Sequence, residues 1–187
     1  MYPNEEMFAI NGLSGIFELH ALSIQTQTIQ LPISWSLWST YIYPTLPDIE
    51  DVLSAITGQQ QVIIVKNGLG NVYWPLYFLD NIGNLVMGEG YQIKTTAATS
   101  FDVSGLAVVP ELTPITVPTG WSILGYMRQS PADIELMLID LTINNNLIIA
   151  KDYLGNIYWP LYFLDNIGDM LPGDGYQIKM NGSASLT

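Results

Sequence analysis

The 187-residue chain is 49% hydrophobic and only 12% charged, and its formal net charge is -12. The hydrophobic content supports a packed core and excludes a disordered chain, while the excess of acids argues against binding to nucleic acid. The absence of cysteine excludes disulfides and thiol chemistry, and no apolar run is as long as the ~18 residues of a membrane span, so we expect no membrane insertion.

The main feature of the sequence is an internal repeat. Residues 74–83 and 159–168 both read WPLYFLDNIG, at an offset of 85, and the similarity extends downstream to segments 88–94 and 173–179. Ten identical residues in a row do not arise by chance. We therefore predict an N-terminal strand segment and two repeat modules, with the bounds 1–27, 28–106 and 107–187.

Each module begins with a predicted strand rich in Trp, Leu, Ile and Tyr, at 28–43 and at 115–128. Aliphatic runs and turn residues then predict a β-hairpin and further strands in each module. The further strands are predicted at 62–66, 71–74, 91–95 and 100–104 in the first module, and at 147–151, 156–159 and 176–180 in the second.

A short helix is predicted after the first strand of each module. Thr45 and Ser130 each precede an acid by three residues, which is a capping-box pattern with Asp in place of Glu. Apolar residues with i, i+3, i+4, i+7 spacing follow and form one stripe on each helix. The stripes are Ile49, Val52, Leu53 and Ile56, and Ile134, Met137, Leu138 and Leu141. The predicted fold is β-rich α+β: two pseudo-symmetric repeats, each a small antiparallel sheet or partial barrel with one short helix.

The chain begins with a segment that has the pattern of a closing strand and ends before the second module completes its own. Phe8 and Ile10 lie in that N-terminal segment, and Leu186 matches the start of the closing strand of the first module. Three interpretations stay open: a piece of a longer array, a strand that completes the second module of the same molecule, or a strand donated to a neighbouring copy.

The segment WSILGY at 121–126, which follows Gly120, and the segments GEGYQIK and GDGYQIK that open the last strands resemble a recurrent bacterial module. That module has a "GWNLIS" opening and a "GYQIK" closing strand. It occurs in secreted or surface proteins, often of marine Bacteroidetes, and in some phage virion proteins. The resemblance covers residues 28–105 and 115–187, although Ser34 replaces the glycine before Trp35. It implies an extracellular, cell-surface or virion location and an accessory or structural role, with no catalytic residues.

Catalysis is not expected. His20 is the only histidine, and it lies in an alternating segment typical of a half-exposed strand. The acids Asp80 with Glu89, and Asp165 with Asp174, could form carboxylate pairs of the kind that hydrolyse glycosides. Two equivalent catalytic pairs in so small a chain would be unusual, so we predict that the protein is not an enzyme and needs no cofactor.

A calcium site is a second possibility for the acids after the aromatic segment. Calcium binds six to eight oxygens, and the oxygen-bearing residues are Asp80, Asn81, Asp165, Asn166 and Asp169. The segment does not match an EF-hand loop. Asx-type turns, in which the carboxylates accept backbone N–H groups, explain the same residues and are favoured.

The repeated aromatic residues are candidates for binding a glycan or a surface protein. They are Tyr73, Trp74, Tyr77 and Phe78, and Tyr158, Trp159, Tyr162 and Phe163. If buried, they are core; if exposed, they form a stacking platform or an interaction patch. Lysines also repeat, at 66, 94, 151 and 179. A fixed internal partner, packing of their stems along a strand, and a ligand anion are the alternatives. The sequence favours a structural or assembly module that associates with itself or with neighbouring repeats.

Overall fold

The structure, a computed structural model, describes the main chain of residues 8–11 and 18–21 and the whole of residues 23–187. Strands hold 46% of the residues and helices 16%, so the chain is β-rich, with several small antiparallel sheets. The strands before the second module are β1 (Phe8–Asn11), β2 (Glu18–Ala21), β3 (Ile24–Leu31), β4 (Ser34–Trp38), β5 (Ile42–Pro44), β6 (Val62–Lys66), β7 (Val72–Trp74), β8 (Leu79–Asp80), β9 (Tyr91–Thr95) and β10 (Thr99–Ala107).

The second module has nine strands of two to six residues. They are β11 (Ile115–Val117), β12 (Gly120–Gly125), β13 (Ala132–Asp133), β14 (Leu147–Lys151), β15 (Ile157–Trp159), β16 (Leu164–Asp165), β17 (Asp169–Met170), β18 (Gly175–Met180) and β19 (Ala184–Leu186). The helices are α1 (Ile49–Val52), α2 (Ser54–Thr57), α3 (Ile134–Met137) and α4 (Ile139–Ile143), with 3-10 turns at Pro75–Tyr77, Pro110–Leu112 and Pro160–Tyr162. Among the described residues, no helix is long and apolar enough to cross a membrane.

Two five-stranded antiparallel sheets carry most of the structure, and they have the same strand order. The first is β4-β9-β6-β7-β8 and the second is β12-β18-β14-β15-β16. Their registers also match, since Trp35 pairs with Lys94 in the first sheet and Trp121 with Lys179 in the second. Alternation in β9 explains the two faces: Tyr91, Ile93 and Thr95 are buried, while the residues between them are partly exposed.

The first predicted strand of each module is interrupted, so the prediction of continuous strands at 28–43 and 115–128 was wrong. In the first module it divides into β3, β4 and β5, because Pro32 cannot donate to a ladder and Ser34 has a positive φ of 78°. In the second module, Pro118 and Gly120, with a φ of 90°, separate β11 from β12. The strands predicted at 62–66, 91–95 and 147–151 are confirmed at the same bounds.

The predicted single helix is two short helical segments in each module, separated by one buried leucine, Leu53 or Leu138. The predicted caps Thr45 and Ser130 are wrong, since the N-caps are Asp48 and Asp133, whose carboxylates accept the N–H groups of residues 50 and 136. A carboxylate at this position satisfies an otherwise orphaned donor. The apolar stripes are confirmed: all their members face the core, with Val52 and Met137 at its margin.

The buried side chains form two clusters, one in each module. In the first, Trp38 is fully buried and its ring lies 5.2 Å from that of Tyr91 and 5.1 Å, edge-on, from that of Phe101. In the second, Leu124 occupies the position equivalent to Trp38 and packs in a cluster with Ile134. Each module therefore buries its own core.

The modules contact each other through reciprocal main-chain bonds. Trp38 forms an isolated bridge with Asp174, and Leu124 forms one with Glu89. The N–H of Ser39 donates to the carbonyl of Gly173 at 2.9 Å, and the N–H of Gly125 donates to that of Gly88 at 2.8 Å. The end of each edge strand thus pairs with the Gly-acid-Gly turn of the other module. We call this contact the module junction.

The first and last strands each pair with another strand of the same chain. β1 pairs with β2, so the strand that contains Phe8 and Ile10 has a partner within the described main chain. Their side chains, and that of His20, lie outside the described residues. β19 supplies the start of the closing strand of the second module, where Leu186 pairs with Ile115 of β11. The second module therefore has a short closing strand, which the sequence did not predict.

Candidate functional site

The repeated segment WPLYFLDNIG forms an exposed loop in each module, which we call the aromatic loop. Pro75 ends β7 and starts a 3-10 turn, which is closed by the Phe78 N–H donating to the Pro75 carbonyl at 3.1 Å. Phe78 then adopts a left-handed backbone with a φ of 52° and is 96% exposed. Phe163 has the same φ and is 97% exposed. Each loop therefore presents a phenyl ring almost wholly to solvent.

The aromatic residues within and directly before each loop divide into a buried and a more exposed group. Tyr73 and Tyr158 are 4% exposed and belong to the two cores. Trp74 is half-buried, and the ring of Tyr77 stands edge-on to it at 4.7 Å. The corresponding pair in the second module, Trp159 and Tyr162, is separated by 4.6 Å. Of the sequence candidates, only the tyrosines that precede the repeated segment are core residues.

Burial does not explain why the two aromatic loops are identical. None of the ten residues in 74–83 or in 159–168 is buried. The cores, in contrast, differ between modules at equivalent buried positions: Trp38 corresponds to Leu124, Val62 to Leu147, and Val65 to Ala150. Full burial therefore does not account for the identity of the loops, in which only Ile82 and Ile167 pack against the cores.

The turn after each aromatic loop is held by one aspartate. Asp80 Oδ1 accepts the N–H groups of Ile82 at 2.7 Å and Gly83 at 3.1 Å. Asp165 does the same for Ile167 and Gly168. These are the Asx-type turns that the sequence favoured over a calcium site. Within residues 23–187, no group of three or more His, Cys, Asp or Glu side chains is placed to hold a metal ion.

The remaining predicted oxygen ligands and acids lie elsewhere. Asn81 and Asn166 are exposed, and Asp169 is an exposed residue of β17. Glu89 and Asp174 lie in the module junction. Burial raises the pKa of Glu89, and burial together with the charge of Asp152 raises the pKa of Asp174 to about 6.

The four repeated lysines contact tryptophan rings, a partner that the sequence did not predict. The ammonium groups of Lys66 and Lys94 lie 5.3 and 5.5 Å from the ring centroid of Trp35. Lys151 and Lys179 lie 5.3 and 5.6 Å from that of Trp121. These distances are within cation–π range. The signal was present in the sequence, because these tryptophans repeat with the lysines, but only strand register places them together.

No protein-family model, curated protein or solved structure matches this chain. The function is therefore inferred from the chain's own geometry.

Proposed function

We propose that the protein is a non-catalytic structural module of an extracellular, cell-surface or virion assembly, and that its two aromatic loops join it to neighbouring copies. The observation that carries this proposal is the near-complete exposure of Phe78 and Phe163 on left-handed backbone. The left-handed region costs a non-glycine residue roughly 1–2 kcal/mol. An exposed phenyl ring gains nothing from burial in the isolated chain. Both features fit a residue selected for contact with a partner.

The loops are apolar over a continuous stretch. Leu76 is 74% exposed and Tyr77 62% exposed, next to Phe78, and the second loop repeats these values closely. Contiguous exposed apolar residues mark sites of protein contact more often than single ones do. Burying one phenyl ring contributes roughly 1.5–3 kcal/mol, so a pair of such loops in contact can support a reversible interface.

Two identical contact loops on one chain favour chain growth over a closed dimer. A single self-complementary patch joins two copies and is then buried in their interface, so no third copy can bind to it. A chain with two patches can contact a different neighbour through each, so copies add in succession. The edge-on arrangement of the half-buried Trp74 and the exposed Tyr77 fits an interlocking protein contact better than a flat sugar-stacking platform.

We further propose that the modules are related by a pseudo-twofold axis through the module junction. The reciprocal bonds from Ser39 to Gly173 and from Gly125 to Gly88 support this arrangement. Under it, the two aromatic loops are equivalent, and their variants behave alike.

Light scattering after size-exclusion chromatography tests the assembly proposal. We expect the unmodified chain to form oligomers whose mass rises with concentration. Phe78→Asn and Phe163→Asn should each stop growth at dimers, because one loop is left, and the double variant should be monomeric. Leu112→Asn is the matched control, since Leu112 is 72% exposed but lies outside both loops.

A monomeric unmodified chain at high concentration would overturn assembly through the loops. Oligomers that persist in the double variant, but are lost when residues 1–13 are removed, would indicate strand donation by the N-terminal segment instead. The alternative of glycan binding has its own support, since a cavity of about 490 Å³ lies beside Trp74 and is lined also by Thr57 and Gln60. A change in tryptophan fluorescence with neutral glycans, lost in the double variant, would favour it.

A further inference from the structure

Each module has one exposed indole ring flanked by two lysines, and these lysines carry most of the positive charge of the chain. Trp35 is 38% exposed and Trp121 is 49% exposed, and each has two lysine ammonium groups within 5.6 Å of its ring centroid. These lysines are four of the five cations in the sequence. This concentration of cations around two indole rings, in so acidic a chain, calls for a physical explanation.

A cleft runs between the two modules at this point. Its larger part has a volume of about 390 Å³ and is lined by Lys66 and Gln92 from the first module and by Trp121, Lys151 and Gln177 from the second. A smaller part of about 90 Å³ is lined by Trp35 and the same two glutamines. We call the combined space the junction cleft. It offers indole faces, side-chain amides and ammonium groups together.

Among residues 23–187, no acid forms an ion pair with the lysines of the junction cleft. Within residues 23–187, the one ion pair shorter than 4.0 Å joins Arg128 to Glu111. Asp152 lines the smaller part of the cleft, but its carboxylate accepts the N–H groups of Leu154 and Asn156 and the amide of Asn156. At physiological salt, charges more than about 8 Å away are largely screened, so the field inside the cleft is set by nearby charges, which include the lysines Lys66 and Lys151 and the carboxylate of Asp152.

We propose that the junction cleft binds an acidic carbohydrate, a saccharide chain that bears carboxylate or sulfate groups. The ammonium groups supply the attraction for the anion. The exposed indoles supply an apolar wall for sugar rings, and Gln92 and Gln177 supply donors and acceptors for hydroxyl groups. Because each module contributes one indole, one lysine and one glutamine to the lining, the site fits a linear chain in which charge and ring repeat.

This site is separate from the aromatic loops, so its test is independent of the assembly proposal. The probes are oligogalacturonate, which carries carboxylates, and a heparin oligosaccharide, which carries sulfates. Cello-oligosaccharide is the neutral control and polyphosphate is the anion without sugar rings. Calorimetry gives the affinity. Tryptophan fluorescence reports on all five tryptophans, so the signal from the cleft is the part that is lost in Trp121→Leu.

We expect at least one acidic oligosaccharide to bind at physiological salt and to be released at about 1 M salt, where screening is nearly complete. The variant Lys66→Gln with Lys151→Gln should bind about tenfold or more weakly, and the Arg equivalents at both positions should retain binding. Trp121→Leu should also weaken binding. The Phe78→Asn with Phe163→Asn variant should bind as the unmodified chain does.

Thermal unfolding of each variant separates loss of binding from loss of fold. Failure of both acidic oligosaccharides to bind the folded, unmodified chain would overturn the proposal. So would polyphosphate binding as tightly as the oligosaccharides with no effect of Trp121→Leu, because the cleft would then recognise charge alone.

Discussion

Ser39 in the first module and Asp174 in the second are joined by a hydrogen bond of 2.5 Å, from the Ser39 hydroxyl to the Asp174 carbonyl. The same hydroxyl accepts the N–H of Tyr126 at 3.0 Å, and Ser39 is only 1% exposed. Gly125 corresponds to Ser39 in the second module and has no side chain to make such contacts. One hydroxyl therefore connects three strand ends at the module junction.

Replacing that hydroxyl should destabilise the chain. Ser39→Ala leaves the buried Tyr126 N–H without its acceptor, and an unsatisfied buried group costs about 1–3 kcal/mol. Urea unfolding measures the change in the free energy of unfolding. Ser54→Ala is the control, because the Ser54 hydroxyl bonds the Asp51 carbonyl at an exposed position. If both changes lower the free energy of unfolding equally, the Ser39 hydroxyl stabilises the chain no more than an exposed hydroxyl does.

Stability should fall as pH rises through the range in which Asp174 ionises. Its pKa is raised from 3.8 to about 6 in the folded chain, chiefly by burial. The folded state therefore favours the protonated form, so the contribution is complete below about pH 4 and is lost as pH rises through 6. Allowing for solvent screening of the half-buried carboxylate, we expect a loss of about 1–2 kcal/mol at neutral pH.

The variant Asp174→Asn tests this pH dependence, because an amide cannot ionise. It should be more stable than the unmodified chain at pH 7 and equal to it near pH 4, as measured by urea unfolding across that range. Glu89→Gln should act in the same direction, since burial also raises the pKa of Glu89. Asp51→Asn, at an exposed position on α1, is the control. A variant that is less stable at pH 7 would contradict the prediction.

The helix caps give a prediction that separates the sequence pattern from the observed structure. Asp133 Oδ1 accepts the N–H of Leu136 at 3.0 Å, whereas Ser130 contributes its carbonyl to the Tyr126 hydroxyl. Asp133→Ala should therefore cost about 1 kcal/mol of unfolding free energy. Ser130→Ala keeps the carbonyl and should cost less than about 0.5 kcal/mol. The reverse order would restore the capping box predicted from the sequence.

The exposed residues Phe78 and Phe163 should lower the unfolding free energy of the monomer, although they form the proposed contact between copies. Asparagine tolerates the left-handed region that Phe78 and Phe163 occupy, so Phe78→Asn should raise the unfolding free energy of the monomer by up to about 1 kcal/mol, the lower end of the cost of this region. Thermal and urea unfolding at concentrations where the chain is monomeric measure this. Leu76→Asn, exposed beside Phe78 within the 3-10 turn, should not stabilise. A destabilised Phe78→Asn chain would mean that the ring packs in the isolated module.

The sequence predicted the elements whose residues carry their own signal. The aliphatic runs Val62–Lys66 and Leu147–Lys151 formed strands, and the helical stripes faced the core, because local periodicity determines both. The continuous strand predicted at 28–43 was wrong because its apolar content concealed two breaks, one between Leu31 and Ser34 and one between Trp38 and Ile42. Composition reports propensity and does not report backbone dihedral angles.

The candidate sites were only partly predictable, for a different reason. Aromatic residues suit both a core and a contact surface, so the sequence could not decide the exposure of Phe78. The sequence also did not predict the contact between Trp35 and its two lysines. Lys94 lies opposite Trp35 because of the strand register, and Lys66 lies on the next strand of the sheet. The junction cleft needs both modules in place, and no local pattern encodes that.

The module junction also has a consequence for how the chain folds. Ser39 contacts Asp174, so the first module makes bonds with residues synthesised 135 positions later. Contacts this distant in sequence slow folding, because a long loop must close before they form. During synthesis, the first module can bury its own core, but the end of β4 stays unpaired until residues 173 and 174 have left the ribosome. Limited proteolysis of nascent chains of increasing length should find that strand end protected only when these residues are present.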